Sequence, residues 1–512
     1  MLPRVPSAEK DDASAAGEAI SPLEARFERA RRTAGLFAGP LLFAVLLAAP
    51  VPAPNPEAAR LVAVLGWVMV WWLSEAVPIP VTALLGPALA VALGVGTPNE
   101  IFAPFGDPIV IFFIGGFVIA EGISSSGLGA RIARALLAQR AVARSPVRIL
   151  AAFGVLAGAI SAWIPNTATT AMLYPIGLKV LATALPGDVP DAARRRFTVA
   201  LLLTIAYAAS IGGVATPIGT TPNLVVLGQL AELADVRIPF FQWASVGAPA
   251  AAAMIAVLFL YLRSTLPRAL HGGEAVARAV APRTPLSPAE RNALVAFAVA
   301  VTGWVLPGVF AIALGEAHPT TRAAQRALPE AVVAVVAATL LFVLPVDWRA
   351  RRFTLGWQDA ARIDWGTLLL FGGGLALGGA MFRSGLAEAL GGWLVESTGS
   401  RSVVALTFLF AAATLVLTEL IANTGAATML APLAIASAQA AGVSPVPPAL
   451  AVAIASSMAF MLPISTPPNA IVYGSGRVPI GAMVRHGVLL DVASALVVPV
   501  VVLATCRALG LD

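Results

Sequence analysis

Long apolar runs constrain this chain more than any other feature of its sequence. They recur from residue 35 to residue 506, and each run is about 16 to 25 residues long. Because a helix rises about 1.5 Å per residue, each run can cross about 30 Å of hydrocarbon. The chain is 58% hydrophobic and 12% charged, whereas a soluble domain carries about a quarter charged residues. The sequence therefore predicts an all-α polytopic membrane protein.

The scarcity of Cys and His excludes several classes of protein. One cysteine, Cys506, cannot form a disulfide framework, and His271, His318 and His486 lie in or beside predicted loops, so no zinc or haem site is expected. The net charge of +6 indicates basic cytoplasmic loops and not a nucleic-acid partner. The polar first thirty-odd residues do not have the pattern of a cleavable signal peptide.

The distribution of Lys and Arg predicts the topology. Arg26, Arg29, Arg31 and Arg32 precede the first run, which places the N-terminus in the cytoplasm. A short basic helix is predicted there, with Ser21, Pro22 and Glu24 as its N-cap, N1 residue and capping-box partner. Eleven spans are predicted, at 35–53, 60–77, 79–96, 108–126, 197–229, 246–262, 292–314, 329–346, 365–384, 448–476 and 487–506. This arrangement puts most of the 33 Lys and Arg residues inside and leaves the C-terminus outside.

Two further segments, 149–183 and 402–437, are predicted to be re-entrant hairpins. The first has an apolar arm, a polar knot at 165–170 and a second short arm. Arg148 precedes it and Arg194 follows it, so both ends favour the cytoplasm, and a hairpin satisfies this where a spanning helix does not.

An internal repeat relates the two halves of the chain, about 60–262 and 292–506. Short motifs recur in the same order, the first three at offsets of 257 or 258 residues and the last at 246: Gly115-Gly116 with Gly372-Gly373, Gly127-Leu128 with Gly385-Leu386, Asn166-Thr167 with Asn423-Thr424, and Thr220 to Asn223 with Thr466 to Asn469. Each half holds five spans, an odd number, so the halves are predicted to be inverted. Inverted repeats with broken helices are typical of secondary transporters.

Four polar clusters inside apolar segments are the candidate site. Two are the hairpin tips, 165–170 and 422–428, and two are helix interruptions, 212–223 and 463–469. Proline is expected to break these two spans midway, and unwound backbone at membrane depth lines a cavity or is buried in protein. Free carbonyls there could bind a hard cation, and half-helix N-termini could bind an anion. No Lys or Arg lies in the four clusters, which favours co-binding of cations with a dianion.

At these residues the sequence resembles the divalent-anion/sodium symporter family. Trp71 to Pro78 is similar to an early family motif, and Ala459 to Ile471 is very similar to the C-terminal signature. The resemblance covers about residues 60–506. It implies an elevator-type transporter with a dimerising scaffold and a moving transport domain.

The resemblance also implies the site residues. The first sodium site would use Ser161, Asn166 and the Gly219 carbonyl, with the Pro165 carbonyl nearby. The second would use Thr418, Asn423 and the carbonyls of Ala422 and Ser465. The anion would be bordered by Asn166, Thr167, Asn423, Thr424, Thr466 and Pro467.

The hairpin tips depart from the family pattern. The family reads Ser-Asn-Thr at both tips, whereas this chain has Pro165 and Ala422 at the serine positions. Two hydroxyl donors near the anion are therefore missing, which puts its affinity and identity in question. Thr169 and Thr170 stand where the family's exchangers tend to carry an arginine, which favours a symporter.

The predicted domains follow from the hairpins and breaks. They are a cytoplasmic tail (1–33), two scaffold parts (34–148 and 292–400), two transport-domain parts (149–262 and 401–512) and a cytoplasmic loop (263–291). The expected partners are a small dianion, sodium ions and membrane lipid, with a homodimer implied by the resemblance. The expected location is a bacterial inner membrane.

The expected function is sodium-coupled symport of small divalent anions, above all C4-dicarboxylates such as succinate. The alternatives are a sodium-independent exchanger of the same fold, a sulfate or citrate carrier, and a channel or arsenite-type permease. An enzyme is not expected, because the apolar region holds no nucleophile–base pair or metal cluster.

Overall fold

A computed structural model describes residues 22–184, 190–266 and 284–512. Parts of three predicted domains lie outside the described residues: 1–21 of the tail, 185–189 of the first transport-domain part and 267–283 of the loop, and with them Ser21 and His271. The described chain is helical almost throughout, which confirms the predicted fold class.

The N-terminal part of the described chain contains one helix that precedes the repeat, followed by the first half of the repeat. Its helices are α1 (Pro22–Ala48), α2 (Pro56–Ser74), α3 (Ile79–Ala92), α4 (Pro98–Phe102), α5 (Pro108–Ser126), α6 (Leu128–Leu137), α7 (Arg140–Ala143), α8 (Pro146–Ser161), α9 (Asn166–Ala184), α10 (Asp191–Gly212), α11 (Thr221–Ala234) and α12 (Phe240–Ser264). Short 3-10 turns, Ala103–Gly106 and Gly213–Ala215, follow α4 and α10.

The second half repeats this order. Its helices are α13 (Pro288–Leu314), α14 (Pro319–Ala327), α15 (Glu330–Val343), α16 (Trp357–Ala360), α17 (Trp365–Arg383), α18 (Leu386–Thr398), α19 (Val403–Thr418), α20 (Asn423–Ala441), α21 (Val446–Ala455), α22 (Pro467–Gly474) and α23 (Ile480–Leu509). A two-stranded antiparallel pair, β1 (Pro345–Asp347) and β2 (Arg352–Phe353), stands between α15 and α16.

Eight stretches of the described chain are helices long and apolar enough to cross a membrane by themselves: 29–48, 56–74, 98–126, 191–215, 240–264, 288–314, 365–383 and 480–509. The three other predicted spans contain shorter apolar helices. These are α3, α15, which follows α14 at a 54° bend, and the broken pair α21 and α22. A helix or a broken pair therefore occupies each of the eleven predicted spans.

Helix boundaries confirm the internal repeat. Helices α5, α8 and α9 begin and end 257 residues before α17, α19 and α20. The junctions that follow α5 and α17 agree in backbone as well, since Gly127 and Gly385 have φ of 79° and 71°. Only glycine adopts this left-handed conformation without a steric cost, which explains why the motif is kept in both halves.

Both predicted helix breaks are present. The chain leaves the helix at Gly212 and resumes at Thr221 in the first half, and it leaves at Ala455 and resumes at Pro467 in the second. Helix α10 forms the centre of the bundle, where Ala200 to Gly212 are buried without interruption. The first break therefore lies inside protein, as unwound backbone at membrane depth requires.

Packing across the repeat joins the two halves at the breaks. Helix α11, the part after the first break, packs against hairpin arm α20 of the second half, and α22 packs against arm α9 of the first. Within each half, the first hairpin arm packs against the helix before the break, α8 on α10 and α19 on α21. Each hairpin is thus held by both halves.

The structure differs from the sequence-based expectation at several boundaries. The basic segment before the first span is not a separate short helix, because α1 continues from Pro22 to Ala48. The predicted loops after residues 126 and 384 contain helices α6 and α18, which are too short to register as spans.

Helix α18 packs closely against the backbone of hairpin arm α20, and this contact provides a test of the packing. A Cβ at Gly391 would stand 2.7 Å from the carbonyl carbon and oxygen of Ala436, whereas a Cβ at neighbouring Gly392 would meet nothing within 4 Å. Gly391→Ala is expected to lower the free energy of unfolding by about 1–3 kcal/mol, because backbone has to move. Gly392→Ala is the matched control, expected to leave stability unchanged or to raise it slightly. Denaturation of the purified variants measures both, and equal effects would contradict the packing described.

Candidate functional site

The tip of the first hairpin places polar groups between two helix ends. Helix α8 ends at Ser161 and α9 begins at Asn166. The Ser161 hydroxyl donates a hydrogen bond of 2.7 Å to Asn166 Oδ1. The Pro165 carbonyl accepts the Thr169 amide at 3.0 Å, and Pro165 and Thr167 are exposed. The tip therefore presents groups that no other part of the described chain covers, while Ser161 is buried.

The first helix break brings carbonyl oxygens up to this tip. A Cβ built on Gly219 would lie 2.5 Å from the Gly213 oxygen, 2.7 Å from the Ser161 oxygen and 3.0 Å from the Ala162 oxygen. A Cβ on Gly213 would lie 2.5 Å from Asn166 Oδ1 and 3.2 Å from the Gly219 oxygen. Five oxygens thus lie around Gly213 and Gly219, and we call this group the first oxygen cradle.

Two side chains of the first break donate hydrogen bonds to carbonyls in and beside the first oxygen cradle. The Thr216 hydroxyl donates to the Ala162 carbonyl. The Asn223 amide nitrogen donates to the carbonyls of Gly213, at 3.0 Å, and Thr216, at 2.8 Å. Asn223 is fully buried. Its amide group therefore replaces the helical hydrogen bonds that these two carbonyls lose in the break.

The second hairpin repeats this geometry around Thr418. Its one hydroxyl proton is shared between two acceptors, Asn423 Oδ1 at 3.0 Å and the Ser456 carbonyl at 2.6 Å. The Asn469 amide nitrogen donates to the carbonyls of Ala459 and Leu462, both at 3.1 Å. Asn223 and Asn469 thus bind carbonyls ten and seven residues earlier in their own halves. The oxygens around Thr418 and Asn423 are the second oxygen cradle.

A buried carboxylate, Glu419, distinguishes the second break from the first. Its two oxygens accept the amides of Phe460 at 2.6 Å, Met461 at 2.9 Å and Leu462 at 3.3 Å. The Ser465 hydroxyl donates to the same carboxylate at 2.6 Å. Glu419 is 3% exposed, so these four hydrogen bonds account for its burial. Ala162 occupies the equivalent position in the first half.

Four helices have their N-termini at the candidate site. Arms α9 and α20 begin at Asn166 and Asn423, and the helices after the breaks, α11 and α22, begin at Thr221 and Pro467. Thr466 caps α22 by accepting the Asn469 amide. Helix N-termini carry free N–H groups and the positive end of the helix dipole, so they attract anions.

The oxygen cradles suit a hard monovalent cation. Carbonyl, hydroxyl and amide oxygens are the groups that hard cations prefer, and neither cradle offers sulfur or imidazole. The described residues also hold no cluster of three or more His, Cys, Asp or Glu side chains that would bind a transition metal. The cradles and the helix N-termini together offer places for cations beside places for an anion.

The structure brings together most of the residues that the sequence singled out. Ser161, Asn166 and Gly219 meet in the first oxygen cradle, and Thr418 and Asn423 meet in the second. Ser465 contacts Glu419, and Ala422 precedes the first residue of α20. Their carbonyls, like that of Pro165, stay predicted ligands.

Some contributors were missed by the sequence reasoning. The carbonyls of Ala162, Gly213 and Ser456 border the cradles, but a backbone carbonyl leaves no mark in a sequence. Asn223 and Asn469 did have a signal, since they recur at the same place in both halves. Their role as clamps on the unwound backbone emerges only from the hydrogen bonds.

The contacts of Glu419 give a local test of the second break. Gln in its place keeps one acceptor oxygen but turns a donor group toward the backbone amides. We expect Glu419→Gln to accelerate hydrogen exchange at Phe460, Met461 and Leu462 by about tenfold or more, because hydrogen bonds to a charged group contribute about 1.5–3 kcal/mol each. Exchange measured by mass spectrometry reports this directly. Glu396→Gln, an exposed change on α18, is the control, and unaltered exchange at 460–462 would exclude the capping role.

Several known proteins are similar to this chain in sequence, and one solved structure is similar to it in fold. The citrate transporter family profile matches residues 69–455 and 324–510. The sodium-dependent dicarboxylate transporter SdcS of Staphylococcus aureus (strain bovine RF122 / ET3-1) is 32% identical over 479 residues, 91% of this chain and 90% of the relative. SdcS of Staphylococcus saprophyticus is 31% identical over 484 residues, with the same coverage.

Among solved structures, the Alcanivorax borkumensis YdaH transporter matches 94% of this chain and 98% of its own length. The TM-score is 0.56 at 17% identity, which shows a likeness of fold alone. The sequence matches go further, since they cover nearly the whole chain and include the two hairpins and breaks. The chain belongs to the divalent-anion/sodium symporter family, and it is a polytopic membrane transporter and not an enzyme.

Proposed function

We propose that the protein is a sodium-coupled symporter of small divalent anions, and that C4-dicarboxylates such as succinate are its main substrates. The observation that carries this proposal is the pairing of two oxygen cradles with four helix N-termini at the same breaks. The names of the SdcS relatives, sodium-dependent dicarboxylate transporters, support both the cation and the class of anion.

Sodium is proposed to bind once in each cradle. In the first, Ser161, Asn166 and the carbonyls of Gly219 and Pro165 are the proposed ligands. In the second they are Thr418, Asn423 and the carbonyls of Ala422 and Ser465. The Gly213 and Ala162 carbonyls extend the first set of proposed ligands, because their oxygens lie beside Gly219 with that of Ser161.

The dianion is proposed to lie between the two hairpin tips. Asn166, Thr167, Asn423 and Thr424 offer amide and hydroxyl donors at the starts of α9 and α20. Thr466 and Pro467 border the anion from the start of α22, which packs on α9.

Coupling follows from the charges of such a site. No Lys or Arg lies at the hairpin tips or the breaks, so neutral donors and helix dipoles alone face two negative charges. Sodium bound in the cradles would lower the cost of holding a dianion there. The anion and the cations would therefore bind more tightly together than apart.

The wider architecture is proposed on the same basis. The hairpins and broken helices at 149–262 and 401–512 would form the transport domain, moving as an elevator against a scaffold of 34–148 and 292–400 that forms a homodimer in lipid. The tail 1–33 and the loop 263–291 would lie in the cytoplasm and the C-terminus outside, in a bacterial plasma membrane. These orientations rest on the distribution of Lys and Arg.

Uptake of labelled succinate into proteoliposomes tests the proposal. An inward sodium gradient is expected to drive accumulation, whereas a matched potassium gradient is not. Uptake that requires preloading of the vesicles with dicarboxylate, and not sodium, would indicate an exchanger instead. If sodium drives uptake of sulfate or citrate but not of succinate, the proposed sodium coupling stands and the proposed substrate is wrong.

The hairpin-tip asparagines are expected to be essential. Asn166→Ala or Asn423→Ala removes a proposed ligand of sodium together with a donor to the anion, so each is expected to abolish sodium-driven uptake. Asn99→Ala, at an exposed asparagine far from the tips in sequence, is the control. The variants are compared at equal, monodisperse protein, and full transport by both tip variants would refute the site.

Thr418 separates the cation from the anion. Thr418→Val removes one hydroxyl of the second cradle, so the sodium concentration for half-maximal uptake is expected to rise by about tenfold, the equivalent of about 1.4 kcal/mol. The KM for succinate at saturating sodium should change little. Thr414→Val is the matched control, because Thr414 is equally buried one turn earlier and donates to the Phe410 carbonyl. Similar sodium curves for both variants would remove Thr418 from the site.

A further inference from the structure

A short β-hairpin projects from the end of a membrane helix. Strands β1 and β2 pair antiparallel, with Pro345 opposite Phe353 and Asp347 opposite Arg352. We call residues 345–353 the basic hairpin. It begins two residues after α15 ends at Val343, whose side chain is 54% exposed on an apolar helix. The basic hairpin therefore lies close to the boundary between membrane and water.

Hydrogen bonds fix the base of the basic hairpin. The buried Asn292 side chain, on α13, donates to the carbonyls of Leu344 and Pro345, at 3.3 and 3.0 Å, and to the Thr354 hydroxyl at 2.9 Å. The Thr354 hydroxyl in turn donates to the Leu344 carbonyl at 3.0 Å. Both ends of the basic hairpin are thus tied to one helix.

Aromatic side chains are exposed on and beside the basic hairpin. Trp348 at its turn and Trp357 just after it are each 73% exposed. Trp348 also packs edge-on against Phe353, with ring centroids 6.5 Å apart. Exposed tryptophans of this kind are typical of the membrane interface, where the ring is apolar and its N–H can reach polar headgroups.

Three arginines of the basic hairpin have no carboxylate partner among the described residues. Arg349, Arg351 and Arg352 are exposed and form no ion pair with the described residues. The one acidic residue of the basic hairpin, Asp347, is directed to backbone, since its Oδ1 accepts the amides of Arg349 and Ala350 at 2.9 and 3.1 Å. The guanidinium groups are therefore available for an external anion.

We propose that the basic hairpin binds the phosphate groups of anionic membrane lipids. Guanidinium groups bind phosphate with paired hydrogen bonds, and clustered basic residues at a membrane surface attract anionic lipid. The ordered base adds to this, because a fixed surface loses little entropy on binding. This lipid site is independent of the proposed transport function and adds a specific contact between the scaffold and the membrane.

A spin label on the basic hairpin tests the proposal. Ala350→Cys places a nitroxide at the exposed turn, and the native Cys506 is buried. The labelled full-length protein is reconstituted in phosphatidylcholine vesicles with increasing phosphatidylglycerol. We expect the nitroxide to lose mobility as the anionic fraction rises, and about 1 M salt to reverse the effect by screening.

Arginine variants decide the outcome. Arg349→Gln, Arg351→Gln and Arg352→Gln together are expected to lower the apparent affinity for phosphatidylglycerol by about tenfold or more, so that most of the immobilisation is lost over the same range of anionic fraction. The corresponding triple Lys variant keeps the charge and is expected to retain most of the response. Arg322→Gln with Arg326→Gln, on the separate helix α14, is the control. An equal nitroxide response in both lipids, or a response that survives the triple Gln change, would overturn the proposal.

Discussion

Backbone hydrogen bonding inside an apolar bundle is the constraint on which this structure depends. A broken helix exposes amides and carbonyls that no water can satisfy at membrane depth. The chain resolves this with side chains: Asn223 and Asn469 bind two carbonyls each, and Glu419 binds three amides. The Gly213 and Ala162 carbonyls that border the first oxygen cradle are among the satisfied groups, since Asn223 and Thr216 donate to them. The oxygen cradles thus lie where side chains replace the helical hydrogen bonds that are lost at the breaks.

The two breaks achieve the same shape with different charge. In the first, neutral groups alone hold the backbone, through the Thr216 hydroxyl and the Asn223 amide. In the second, a buried carboxylate performs part of that role, because Glu419 stands where the first half has Ala162. Cross-packing of α11 on α20 and of α22 on α9 then links the unequal halves into one unit.

Much of the fold was predictable because apolar length and charge bias leave a strong signal. The hairpins, the two breaks and the repeat followed from Pro165, Thr466-Pro467 and the paired Asn-Thr motifs. Helices α6 and α18 and the basic hairpin were not predicted, because short elements at an interface have neither the length nor the hydropathy of a span. Of the groups in the oxygen cradles, side chains such as Asn166 and Thr418 could be singled out from the sequence. The carbonyls of Ala162 and Gly213 could not, since the main chain is the same at every residue.

The glycines with left-handed backbone after α5 and α17 offer a way to recognise an internal duplication in chains of this kind. Gly127 and Gly385 lie 258 residues apart at equivalent junctions. A Cβ at Gly127 would meet no atom within 4 Å, and a Cβ at Gly385 would meet only Pro54, at an ordinary contact distance. The restriction there comes from main-chain torsion and not from crowding. After a gene duplication, the lipid-facing residues of the two halves can therefore diverge almost completely, while glycines that are required by a left-handed backbone, which we call torsional markers, persist. In distant homologues, spacing between such markers should preserve the record of duplication longer than hydropathy does.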